Sequence, residues 1–215
     1  MKKYSLLMVL ALTAILIAGC ANVNVTSFKD PNYQGKDFKN ICVYADVDDL
    51  YVRKYLEDQI VDQFIMHGIS ATPGYLFFPP TQKWEDDAIE KVLIEKKFDG
   101  YLLISQKDRN VSPIVNPGSV QTDVVHSSYT DKKTGKEVKE KSTVTSVSPT
   151  TVSYNMMSDF RISLIDPTNR QTAWIADGTG YISSGNIFSG DKAIMRRLAL
   201  KLFHELEASK LVNEK

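Results

Sequence analysis

"ICVYADVDDLYVRKYLEDQI", residues 41–60, decides how this chain folds. Ile41 to Val47 is a short apolar run with a β-branched bias, which predicts a buried strand. The run breaks at Asp46, and Asp48 and Asp49 follow before a new pattern starts. Val52, Leu56, Ile60 and Phe64, with Tyr55 beside them, then recur at helical spacing and predict one buried helix face. Arg53/Glu57 and Lys54/Asp58 are i,i+4 charge pairs, expected on the other faces of that helix. His67 and Gly68 close it, a cation-capable ring in the last turn and then a capping glycine. The stretch is a strand turning into a helix.

Downstream, Ile69 to Thr72 reads as a brief second strand, and "PGYLFFPPTQ" (73–82) as a loop. Trp84, Ala88 and Val92, with Ile89 and Leu93, form a second helical stripe that ends near Lys96-Lys97. "DGYLLIS" (99–105) is a third strand. The β-α-β-α-β order implies parallel strands with right-handed crossovers. After Lys107 the pattern changes. "SVQTDVVHSSYT" (119–130) and "KEVKEKSTVTSVS" (136–148) are polar and β-branched around a turn-forming cluster with Gly135, which predicts a long solvated hairpin. "TVSYNMMSDFRISLID" (151–166) and "TAWIADGTGYIS" (172–183) predict a second hairpin, better supplied with apolar residues. A helix from about Asp191 carries Met195, Leu198, Ala199, Leu202, Phe203 and Leu206 on one side. The expected fold class is α/β: a single mixed sheet, parallel in its first half and antiparallel in its second, covered by three helices. That domain is expected over 39–211, polar hairpin 119–148 included, with no internal repeat.

The chain opens on "MKKYSLLMVLALTAILIAGC" (1–20). Lys2 and Lys3 precede an apolar run, Leu6 to Ile17, that is short for a membrane span. It closes on Ile17-Ala18-Gly19-Cys20, which resembles a bacterial lipoprotein lipobox. The resemblance implies a signal peptide over 1–19, cleavage between Gly19 and Cys20, and acylation of Cys20. More than one acyl chain makes attachment long-lived, at about 0.8 kcal/mol per buried methylene. Ala21 after the Cys, rather than Asp, implies sorting to the outer membrane in a Gram-negative envelope. Residues 20–38 are polar with scattered aromatics and read as a tether that partly packs on the domain; as a free coil it spans on the order of 25 Å. The whole chain has 26 basic and 26 acidic residues, so losing Lys2 and Lys3 leaves the mature form near −2. Nothing in that balance points to a nucleic-acid partner. Cys42, the other cysteine, reads as a small buried hydrophobe.

The acids at the first strand's end sit where open α/β sheets bind ligands. "ADVDDL" resembles the first motif of haloacid-dehalogenase-type phosphatases, which implies Asp46 as nucleophile, Asp48 as acid/base and a magnesium ion. "YLLIS" would supply the second motif through Ser105. The departures are Leu50 at the threonine position and Met195 where "GDKAIM" should carry an acid. Capping explains more: Asp48 as the helix cap, contributing about 1 kcal/mol, and Asp49 as a negative charge in the first turn. His67, His126 and His204 lack ligand spacing. "DGTG" (177–180) lies in a strand-like run, where close packing of a helix over the glycines is the simpler cause. No catalytic residue, cofactor or metal ligand is therefore expected. Tyr75, Leu76, Phe77 and Phe78 are either a core lid or an exposed partner surface. Hairpin 119–148 is either a solvated appendage or an arm that pairs with another subunit.

As a whole the mature chain resembles a group of small envelope lipoproteins with a mixed α/β domain, related to the amino-terminal domain of the Tol-system propeller protein and to the curli secretion lipoprotein. The carrying stretches are "FKNICVYADV", "RKYLEDQIVDQFIMHGISA", "KKFDGYLLIS" and "FRISLIDPTNRQTAWIADGTG". The resemblance implies a non-enzymatic, periplasm-facing scaffold or partner-binding lipoprotein of the outer membrane. A magnesium-dependent phosphatase and an oligomeric secretion or assembly factor are the alternatives. A membrane hairpin needs an apolar outward face. Val120, Thr122, Val124, His126 and Ser128, opposite a strand bearing Lys136, Glu137, Lys139, Glu140 and Lys141, do not provide one.

Overall fold

The computed structural model describes residues 21–130, 133 and 135–213. Its strands are β1 (Asn22–Lys29), β2 (Asn40–Asp46), β3 (Ser70–Pro73), β4 (Gly100–Asn116), β5 (Ser119–Thr130), β6 (Glu137–Ser148), β7 (Thr151–Asp166) and β8 (Gln171–Gly185). Three α-helices join them among the described residues: α1 (Leu50–Met66), α2 (Asp86–Glu95) and α3 (Ile187–Ala208). Six strands form one mixed sheet in the order β1-β8-β7-β4-β2-β3. β2 runs parallel to β3 and β4, whereas β1/β8 and β7/β8 are antiparallel. The expected fold class is present, with one addition: hairpin β5–β6 forms a two-stranded sheet of its own. The chain divides into two compact units, Pro113–Ser153 and the remainder.

In the larger unit, strand alternation sorts side chains between the two faces of the sheet. Ile41, Val43 and Ala45 point to one face with Leu102, Ile104, Ile162, Leu164 and Trp174, where α1 and α3 cover them. Cys42 and Tyr101 point to the other, where α2 brings Leu93 and the loop brings Phe78. On α1 the foreseen stripe is the buried one: Leu56, Ile60 and Phe64 are fully covered, each contributing about 1.5–3 kcal/mol over exposure. Gly68, at φ 78°, ends that helix in the left-handed region a side chain disfavours. On α3, Met195, Leu198, Ala199, Leu202, Phe203 and Leu206 are all buried, as their spacing predicts. The helix starts earlier than expected, at Ile187. Gly190, in its first turn, packs against Met156 and Ile182.

Residues 22–29 are not a tether. They form edge strand β1, paired with β8 along its whole length, and Ala21, Val23, Tyr33 and Phe38 are buried. Asn22, Asn24 and Thr26 alternate outward with Val23 inward, so an edge strand wet on one face passes for polar coil. Trp84 also falls outside its expected helix. Its indole N–H donates to the Pro79 carbonyl at 3.1 Å and its ring packs edge-on against Phe78, so it belongs to the loop. β4 continues to Asn116, well past its last buried residue, Ile104. In the smaller unit, β5 and β6 pair from Ser119↔Ser148 to Thr130↔Glu137, and every residue of β5 is exposed. Among the described residues, no helix is long and apolar enough to cross a membrane.

Candidate functional site

The acids that open the question separate in space. Asp46 ends β2 with its side chain exposed, and the parallel register sets it beside Ser105. Asp48 is exposed and does not cap α1. The cap is Asp49, whose Oδ1 accepts from the amides of Tyr51 at 2.9 Å and Val52 at 3.1 Å. The cap falls one residue later than expected because the helix starts at Leu50 and the Ncap is the residue just before it, which leaves Asp48 outside the first turn. Leu50 projects outward, and Met195 is buried in the packed face of α3. No group of three or more His, Cys, Asp or Glu able to hold a metal occurs among the described residues.

Behind Asp46 lies a polar centre that the charge pattern hides. Glu57 is fully buried and Arg53 nearly so. Their i,i+4 spacing, expected on an outer face of α1, instead points at the end of β2. Arg53 Nε donates to Glu57 Oε1 at 3.2 Å, and its Nη2 donates to the Phe78 carbonyl at 3.0 Å. Glu57 Oε1 also accepts from the Ala45 amide at 3.0 Å, and Oε2 from the Tyr75 amide at 2.8 Å. The guanidinium stacks on Tyr44 at 4.5 Å from the ring centroid. Burial raises the Glu57 carboxyl above its ordinary value, opposed by these amides and by Arg53. One carboxylate thus fastens strand β2, helix α1 and the 74–78 turn together. The sequence carries no signal for this, because Glu57 is held by backbone amides, and the pair reads like the exposed Lys54–Asp58 pair beside it.

The 75–78 segment splits between lid and surface. Phe78 is completely buried, Phe77 is half-buried against Phe98, and Leu76 is 62% exposed. The Tyr75 hydroxyl lies 2.8 Å from Asp58 and 2.8 Å from Lys54. Beside this lid, α2 is too short to cover its face of the sheet, and a cleft of about 610 Å³ remains. Its walls are Tyr44, Trp84, Ile89, Tyr101, Leu103 and Ile165, and its rim carries Asp46, Lys83, Asp86, Glu90 and Arg170. Arg170 is ion-paired with Asp87 and Glu90, which pins the hairpin turn after β7 to α2. Ring-faced walls with charges at the rim suit a bound partner group.

The remaining candidates are structural. His67 stacks on Phe203 with centroids 4.0 Å apart, His204 lies edge-on to the same ring at 6.1 Å, and His126 is exposed on β5. The Cys42 thiol is buried and pushed up to about 12, so it is unreactive. In "DGTG", a Cβ on Gly178 would press on Leu198 and one on Gly180 on Ile194, as the close-packing reading expects. Gly19 and Cys20 lie outside the described residues.

No family model matches the chain, and no curated protein sequence matches it. Solved structures provide distant likenesses. A PelC dodecamer from Paraburkholderia phytofirmans is 12% identical over 90% of this chain and 100% of that one, with a TM-score of 0.46. A second crystal form of that dodecamer, a point variant, gives 12% identity, 91% and 100% coverage and a TM-score of 0.45. A PDZ domain protein from Parabacteroides distasonis gives 12% identity, 86% and 37% coverage and a TM-score of 0.32. These are likenesses in outline of the chain trace.

Proposed function

We propose that this chain is an envelope lipoprotein, held at the outer membrane through acyl chains on Cys20 and facing the periplasm, that works as a scaffold or partner-binding module rather than by turnover. The observation that carries the anchor is the apolar run closing on Ile17-Ala18-Gly19-Cys20. The binding role is supported by the half-covered sheet face, where ring walls and a charged rim offer a contact site. On its rim Glu90 is paired with Arg170, and Asp46 and Asp86 are exposed.

Metabolic labelling with a palmitate analogue is expected to mark the wild type, with the label lost in Cys20→Ser. Label that survives this substitution overturns the anchor. Phosphate release from any member of a broad phosphomonoester panel, abolished by Asp46→Asn, overturns the non-enzymatic reading.

A further inference from the structure

Strand alternation puts Tyr44 and Asp46 of β2, Tyr101 and Leu103 of β4 and Ile165 of β7 on the sheet face that α2 leaves half-covered. With Trp84 from the loop they line the cleft of about 610 Å³, a size that holds a ligand group. Rings dominate its walls. The Tyr44 and Tyr101 centroids stand 6.1 Å apart, and the Trp84 ring is fixed edge-on to Phe78.

The charge around this cleft is one-sided. Both rim cations are already paired, Lys83 with Glu85 at 4.0 Å and Arg170 with Asp87 and Glu90. The Arg53 guanidinium stacked on Tyr44 is balanced by Glu57. Asp46 and Asp86 are exposed, and among the described residues neither side chain has an ion-pair or hydrogen-bond partner. A second group points the same way. Tyr101 is only 7% exposed, yet it lines the cleft, and its hydroxyl has no hydrogen-bond partner among the described residues. Burial, and then Cys42, Tyr44, Glu57 and Asp46 around it, push this phenol above its ordinary value. It stays a neutral hydroxyl with lone pairs to offer a donor.

We propose that this cleft takes a lysine or arginine side chain of a protein partner. Its apolar stem lies along the Tyr44, Trp84 and Tyr101 rings, and its charged head meets the Tyr101 hydroxyl and Asp46, with Asp86 adding to the field of the rim. The proposal rests on the partner-binding reading above and names the chemistry of that partner. Ring faces attract cations, carboxylates make strong hydrogen bonds with charged donors, and long basic side chains lay their methylenes on apolar surface. An acidic side chain would meet acids of its own sign. A neutral one would leave Asp46 and Asp86 with nothing to pair.

The test uses the full chain, purified in detergent and isotope-labelled at the tryptophan indole nitrogens. Its two tryptophans are Trp84, in the cleft wall, and Trp174, buried on the other face of the sheet. One indole N–H signal therefore reads the cleft and the other reads the fold. The probes are peptide amides of sequence Ser-Ala-Leu-X-Leu-Ala-Ser, with X as lysine, norleucine or glutamate, and maltohexaose as a neutral sugar chain. The lysine peptide is expected to shift the Trp84 signal and leave Trp174 in place, half-saturating at about a tenth of the concentration the norleucine peptide needs. Asp46→Asn and Tyr101→Phe should each raise that concentration about three- to tenfold. Neither side chain makes a hydrogen bond within the described residues, and an unmoved Trp174 signal shows that each variant has folded. Equal half-saturation by the lysine and norleucine peptides, tighter binding of the glutamate peptide, or full affinity in both variants overturns the basic side chain and leaves a partner site in place. Shifts caused by maltohexaose and by no peptide overturn it in favour of a sugar chain. A Trp84 signal that no probe moves overturns the cleft as a partner site as well.

Discussion

The two faces of the six-stranded sheet follow the same alternation yet end in different states. On one, α1 and α3 lie side by side and leave Ile41, Leu102, Ile162 and Leu164 without solvent contact. On the other, the ten-residue helix α2 covers part of the surface, so Tyr44, Leu103 and Ile165 stay half-buried along a cleft. The difference lies in helix length and number rather than in the strands. A strand residue of the same type therefore has a different energetic role depending on which way it points, and binding capacity collects on the face that packing leaves unfinished.

The sharpest break in the comparison should come where a charge is buried beside the packed face. Glu57→Gln leaves Arg53 without its anion and gives the Ala45 and Tyr75 amides one carbonyl oxygen to share. The expected loss is about 3–5 kcal/mol in urea unfolding, the range for breaking a buried pair from one side. Replacing both partners with apolar residues should recover a large part of it. A loss below about 1 kcal/mol for Glu57→Gln would mean the pair is strongly hydrated. Neighbouring leucines on β4 then compare the faces directly. Leu102→Ala, in the packed face, should cost about 2–5 kcal/mol, whereas Leu103→Ala, in the cleft wall, should cost less than about 1 kcal/mol. Equal losses in matched urea melts would erase the distinction between the faces.

The strand–helix order, both hairpins and the buried stripes of α1 and α3 were legible in the sequence because each is a local periodicity. Fully buried strands such as "ICVYA" and one-sided helices leave that periodicity undiluted. β1 was hidden because it is an edge strand: only Val23 of its inward side chains is fully buried, and the Asn and Thr residues between look like linker. The shift of the cap from Asp48 to Asp49 reflects a helix start that composition fixes only to within a residue or so. The Arg53–Glu57 centre was unreadable for another reason. Its carboxylate is satisfied by backbone amides from Ala45 and Tyr75, and amides have no sequence signature. The cleft, too, is defined by what α2 fails to reach, which depends on tertiary packing.

Asp166 supplies a milder test, because it is a second buried carboxylate shifted the opposite way from Glu57. Burial pushes its carboxyl up, but the Thr168 hydroxyl at 2.6 Å, the Thr168 amide at 3.0 Å and Lys36 at 3.4 Å outweigh this and hold it below the ordinary aspartate range. The native state then stays ionised where the unfolded chain has already taken up a proton. Its contribution is present above the ordinary value of about 3.9 and is lost as pH falls through the folded value. For Glu57 the sign reverses: the native state keeps its proton longer than the unfolded chain, so stability falls as pH rises through the raised value. Asp166→Asn should therefore cost about 1 kcal/mol at neutral pH, with the gap from wild type closing in urea melts taken toward about pH 3. A gap that stays constant over that range would assign the effect to the shape of the side chain at the β7–β8 turn rather than to its charge.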